Sequence, residues 1–141
     1  MPSHHIAMDD LGLYVVQLQG GVTLQDELSF LDAVESDPSI TGKVIKFVDC
    51  RDLGSIELSS AETKGLSDLI TNLIDHRIKL EKVVVWAPNE TGQRALKDFA
   101  PKLPEHLRER VTVHDNLDDA TLAAGVDKCA FAERLLAAGY A

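Results

Sequence analysis

Short apolar runs that alternate with amphipathic helical segments leave a chain few ways to fold, and this chain alternates from beginning to end. Leu13-Tyr14-Val15-Val16-Gln17-Leu18, Val44-Ile45-Lys46-Phe47-Val48-Asp49, Val83-Val84-Val85-Trp86-Ala87 and Val111-Thr112-Val113-His114 read as strands, rich in β-branched and aromatic residues. Ile6 to Met8 reads as a further short strand. The turn composition of Asp9-Asp10-Leu11-Gly12 makes it one arm of an N-terminal hairpin, and Gly20-Gly21 ends the second arm. Between the later strands lie helical patterns. Thr23 caps the first, with Asp26 three residues on, and Leu24, Leu28, Leu31 and Val34 form its apolar stripe up to Asp37-Pro38. Ser59-Ser60-Ala61-Glu62 is a capping box that follows a loop. It opens a second helix with Leu66, Leu69, Ile70, Leu73 and Ile74 at core spacing, running to His76 or Arg77. Pro88 to Gly92 opens a third, with Ala95, Leu96 and Phe99 inward and Pro101 and Pro104 limiting it. Asp118-Asp119 sit in the first turn of a fourth, Gly125 interrupts, and Val126 to Ala138 forms the last.

Strands that alternate with helices pair in parallel through crossovers, so the expectation is an α/β fold with a mixed five-stranded sheet. At 141 residues it is one domain: residues 1–124 as the α/β body and 125–141 as a C-terminal helical extension of it. Aromatic residues are 5% of the chain, so Leu, Ile, Val and Ala must build the core. A formal charge of −9 argues against nucleic acid and against a polybasic membrane anchor. The first residues have no apolar leader and no run is long enough to span a bilayer, which predicts a cytoplasmic protein with reduced thiols. Cys50 and Cys129 could bridge only if folding brought them together.

The stretch Val48-Asp49-Cys50-Arg51-Asp52-Leu53-Gly54-Ser55-Ile56-Glu57-Leu58-Ser59-Ser60 resembles the middle of a STAS domain, the fold of bacterial anti-sigma-factor antagonists. In that family a strand ends in an aspartate, a loop with two spaced apolar residues follows, and an Asp-Ser-Ser-Gly turn opens a helix. Asp49 matches the strand-end aspartate, Leu53 and Ile56 the apolar pair, and Glu57 the acidic place before the phosphorylated serine. The serine position itself falls on Leu58, which has no hydroxyl; Ser59 is the adjacent candidate for modification, about 100° round a helix. The whole pattern, over about residues 6 to 124, is similar to the SpoIIAA-like, STAS-like group of bacterial proteins. That resemblance implies a sheet with an N-terminal hairpin and helices packed on it.

In open α/β sheets ligands sit beyond the carboxyl ends of the strands. There Asp49, Arg51, Asn89 and Thr91 are candidates for a crevice that takes a small anion or polar ligand; the competing account makes Asp49 and Arg51 turn-satisfying residues and Asn89 or Thr91 a helix cap. Cys50 has Arg51 beside it but also Asp49 and Asp52, no histidine near in sequence, and Ile56 where a C-x5-R loop needs arginine. His4-His5, His76, His106 and His114 have no metal-ligand spacing, and no glycine-rich phosphate loop is present. Asp9-Asp10 lies in a hairpin turn, where the acidic pair of a receiver domain does not. Arg94, Lys97, Lys102, Arg108 and Arg110 make a mild basic cluster, read as a face for self-association or for an acidic partner, or as a solvated helix face. The last helix, with Val126, Ala130, Phe131, Leu135 and Leu136, covers its own sheet or packs on another subunit, as in a homodimer.

These residues predict a non-enzymatic regulatory or binding module that works through protein contacts or a small ligand, without metal or cofactor. The alternatives are a small-ligand or lipid carrier with a cavity like that of the CRAL-TRIO fold, and a small enzyme using Cys50 or Asp49.

Overall fold

The computed structural model describes residues 3–37, 42–76 and 78–139. Among these, five strands form one mixed sheet. β1 (Ser3–Met8) runs antiparallel to β2 (Leu13–Val22). β3 (Gly42–Ile56), β4 (Ile78–Trp86) and β5 (Val111–His114) follow in parallel, in the spatial order β1-β2-β3-β4-β5. The hairpin closes through a single 3₁₀ turn at Asp9–Leu11, with Gly12 left-handed at φ 69°. Six α-helices accompany the sheet: α1 (Leu24–Ser36), α2 (Ser60–His76), α3 (Glu90–Phe99), α4 (Glu105–Arg108), α5 (Leu117–Ala124) and α6 (Lys128–Ala137). None is long and apolar enough to cross a membrane. Pro38 and Arg77 lie outside the described residues, as do the side chains of Leu73 and Ile74.

Side-chain alternation along the strands divides the apolar residues into two layers. Tyr14, Val16, Leu18, Val48, Val83 and Val85 face α1, α2 and α3, with Phe30, Leu31, Leu66 and Phe99 against them. Leu13, Val15, Phe47 and Val84 face α5 and α6. There the Phe131 ring stands 4.6 Å from the Phe47 ring, tilted by 46°, and is completely buried. The chain after Gly125 (φ 71°) therefore belongs to the core of its own domain.

The strands are longer than the sequence reading makes them. Gly20-Gly21 does not end β2, and the expected loop after Asp49 is strand as far as Ile56, because the two strands extend together. Their register slips twice, between Gln17 and Gln19 and between Gly20 and Gly21, each slip placing one extra residue on β3. Each bulge re-phases the alternation, so Leu53 and then Ile56 join the same layer as Val48 and Cys50. β4 likewise begins at Ile78 rather than Val83. His4-His5 is no loose terminal pair: the two residues pair in β1 opposite Gln17 and Val16, and the His5 ring packs edge-on at 5.7 Å from Phe30. Two residues assigned to apolar stripes point outward, Leu69 at 48% and Leu136 at 63% exposure. The short α4 gives no periodic signal in sequence, since four residues make barely one turn.

Candidate functional site

Local bonding accounts for most of the strand-end candidates. Asp49 is 3% exposed and accepts from Gln17 Nε2 at 2.9 Å, from the Arg51 amide at 3.1 Å and from Arg51 Nη2 at 2.8 Å. The Arg51 guanidinium carbon stands over Trp86, 4.9 Å from the ring centre, a cation–π contact. Asn89 caps α3, its Oδ1 accepting from the Gly92 amide at 2.9 Å while its Nδ2 donates to the Arg51 carbonyl at 2.6 Å. A Cβ on Gly92 would stand 3.0 Å from the Cys50 carbonyl oxygen, so a side chain there would push α3 away from β3 by a few tenths of an ångström. Asp49, Arg51 and Asn89 are thus knitted into one bonded group. Thr91 stands apart from it, exposed beside a depression of mixed lining with Ser55, Ile56, Arg94, Phe99 and Lys102. The strands also follow one another in order, without the reversal that opens a ligand crevice at strand ends.

The remaining sequence candidates have similar local roles. Ser59 caps α2: its Oγ accepts from the Glu62 amide at 3.0 Å, and its own amide donates to Glu62 Oε1 at 3.0 Å. Leu58, at the place the STAS resemblance gives to the phosphorylated serine, is buried. Cys50 is fully buried, and burial together with the Asp49 charge pushes its thiol up to about 12. It is held as the neutral thiol, which is not a nucleophile. Cys129 is exposed on α6, across the sheet, and both cysteines are free. No group of metal-ligating side chains occurs among the described residues. Of the basic cluster, Arg94 pairs with Glu90 at 3.0 Å, Lys102 donates to the Leu58 carbonyl at 2.8 Å, and Arg110 Nη1 donates to the Leu80 carbonyl at 2.7 Å. Asp10 of the hairpin turn pairs with Arg134 of α6.

The feature no strand-end motif announces lies inside the α1–α3 layer. There the helices do not fill the space above β2, β3 and β4, and a cavity of about 200 Å³ remains. Its walls are almost wholly apolar, with Leu18, Val48, Leu66, Val85, Leu96 and Phe99 among them, and Leu58 also contributes. The volume is about a third larger than that of an apolar protein cavity of about 150 Å³ that takes up benzene. Among the described residues, three charged ones reach the lining: Glu27 from α1, Lys46 from β3 and Arg110, just before β5. Lys46 and Glu27 form an ion pair at 3.7 Å with side chains only 14% and 18% exposed. The Lys46 ammonium stands 3.9 Å above the Phe30 ring, which meets Tyr14 edge-on at 5.4 Å.

Sequence reasoning passed over Lys46, Glu27 and Phe30. One signal was there to be used: Lys46 is the single charge in the run Val44-Ile45-Lys46-Phe47-Val48 of a strand covered on both faces. A charge at such a place needs a partner or a purpose.

Compared with known protein families and with curated proteins, the sequence matches none.

Proposed function

We propose that the protein is a non-enzymatic binding module of STAS-like fold that holds a small, mainly apolar ligand between its sheet and helices α1 to α3. The cavity is the observation that carries this reading: native interiors pack to near-crystal density, and a void of about 200 Å³ lined by Leu, Val and Phe leaves their surfaces without contacts that a ligand would supply. The hairpin, the parallel strands in chain order and the stretch from Asp49 to Ser60 support the STAS-like part of the proposal. The size favours a molecule of roughly eight non-hydrogen atoms, by proportion to the benzene-sized case, over a long acyl chain.

Toluene tests this. It raises the melting temperature by mass action, by about 2.7 kcal/mol of stability at a hundredfold excess over its Kd. The accompanying amide shifts centre on residues such as Val48, Leu66 and Val85. A melting temperature indifferent to toluene contradicts the reading.

A protein-contact role has its own support in Leu122 and Leu136, 78% and 63% exposed on α5 and α6. On that reading the sedimentation coefficient rises with concentration and Leu122→Lys abolishes the rise. A coefficient independent of concentration removes self-association.

A further inference from the structure

The ion pair in the cavity wall is built unlike a hydrogen-bonded one. Lys46 Nζ and Glu27 Oε2 are 3.7 Å apart, beyond the 2.7–3.2 Å of an N–H···O hydrogen bond. Among the described residues the ammonium has the Glu27 carboxylate and the Phe30 ring as neighbours, and no hydrogen-bond acceptor. Both side chains line the largely apolar cavity, and at 14% and 18% exposure neither charge is fully withdrawn from water. Burying such a pair costs more in lost hydration than its attraction returns, and well-packed apolar replacements are often as stable or more so.

We infer that Lys46 and Glu27 are the head-group site of the cavity, and that its ligand carries an uncharged group able both to accept and to donate a hydrogen bond, a primary alcohol or primary amide on an apolar chain of about six carbons. This rests on the cavity being a ligand site. The charges of the pair decide the class. An anionic head would gain Lys46 but face Glu27, and a cationic head would gain Glu27 but face Lys46. One hydroxyl oxygen can lie about 2.8 Å from both atoms of a pair 3.7 Å apart, accepting from the ammonium while its hydrogen goes to the carboxylate. Arg110, the other cation of the lining, already donates to the Leu80 carbonyl, and the net charge of −9 disfavours an approaching anion. The apolar remainder of the ligand fills the space against Val48, Leu66 and Val85.

Calorimetric titration of the full chain at pH 7 with 1-hexanol, hexanamide, hexanoate and hexylammonium, and with toluene as the headless reference, tests the inference. The expected result is that hexanol and hexanamide bind at least tenfold tighter than the two charged probes. In the double variant Lys46→Met with Glu27→Leu, hexanol weakens about tenfold while toluene stays within twofold. Should that variant not fold, Glu27→Gln serves, with hexanoate gaining on hexanol. Hexanoate or hexylammonium equal to hexanol, or a preference that survives both substitutions, overturns the head-group assignment while toluene binding still upholds the cavity. Failure of all five probes overturns both.

Discussion

Val84 and Val85 are neighbours on β4 whose side chains enter opposite layers of the molecule, and the same substitution should act on them with opposite sign. Val85 is 3% exposed and lines the cavity; Val84 is 0% exposed, in the layer with Phe47 and Phe131, and touches no void. Ile in place of Val adds one methylene. At position 85 it enters empty apolar space and should stabilise by about 0.8 kcal/mol, the value of burying one CH₂. At position 84 it enters a filled layer and should destabilise by about 1–3 kcal/mol through displaced rotamers and backbone. For 141 residues the melting temperature moves by about 3–5 °C per kcal/mol. Scanning calorimetry should therefore find Val85→Ile a few degrees above the parent and Val84→Ile several degrees below it. Urea titration at constant m separates stability from a change in the denatured state. Val85→Ile should also weaken toluene binding, since it occupies part of the same space. If Val85→Ile destabilises as much as Val84→Ile, the space beside Val85 is not a void and the reasoning fails.

Three further outcomes follow from other parts of the molecule. Phe131→Ala, which empties a fully buried site against Phe47, should cost about 3–5 kcal/mol in urea unfolding, and Leu136→Ala on the exposed side of α6 less than about 0.5 kcal/mol; near-equal effects would detach α6 from the core. Cys50, raised from 9.0 to about 12 by burial, stays protonated when folded but ionises when unfolded above pH 9, so stability falls as pH rises from 9 towards 12. Cys50→Ala should flatten that slope, and a thiol reagent should label Cys129 at once and Cys50 only on unfolding. His5 is lowered from 6.5 by burial and by the Lys46 charge, against the opposing pull of Glu27. The unfolded chain therefore takes up the proton first as pH falls below 6.5, and stability drops with acidification. His5→Phe should reduce this acid sensitivity; an unchanged slope between pH 6.5 and 5 would contradict it.

The sequence was most legible where a single element carries its own signal. The caps at Thr23, Ser59 and Asn89, the turn at Gly12, the break at Gly125, and the apolar β-branched runs inside β2 and β4 are local, and each lies where its pattern puts it. What failed was non-local. Gly20-Gly21 reads as a break until a partner strand is supplied, and β3 continues past Asp49 only because β2 does and two bulges absorb the mismatch. Asp49 and Arg51 were legible as a charged pair at a strand end. That the pair satisfies itself, with Gln17 from 32 residues away, depended on register. The cavity is the extreme case. It is a difference between the volume that four strands and the covering helices enclose and the volume their side chains fill, and no single segment encodes it. Only Lys46, the one charge within the apolar run Val44 to Val48, marked its position in the sequence.

Xenon is the most direct probe of the account, because it enters apolar voids without needing a hydrogen bond. Diffraction from crystals held under xenon should show an anomalous peak between β3, β4 and α2, in contact with Val48, Leu66 and Val85, and Val85→Ile should weaken it. A crystal that takes up xenon elsewhere and leaves that space without a peak would mean that the helices close on the sheet, and the ligand-binding account would fall with the cavity.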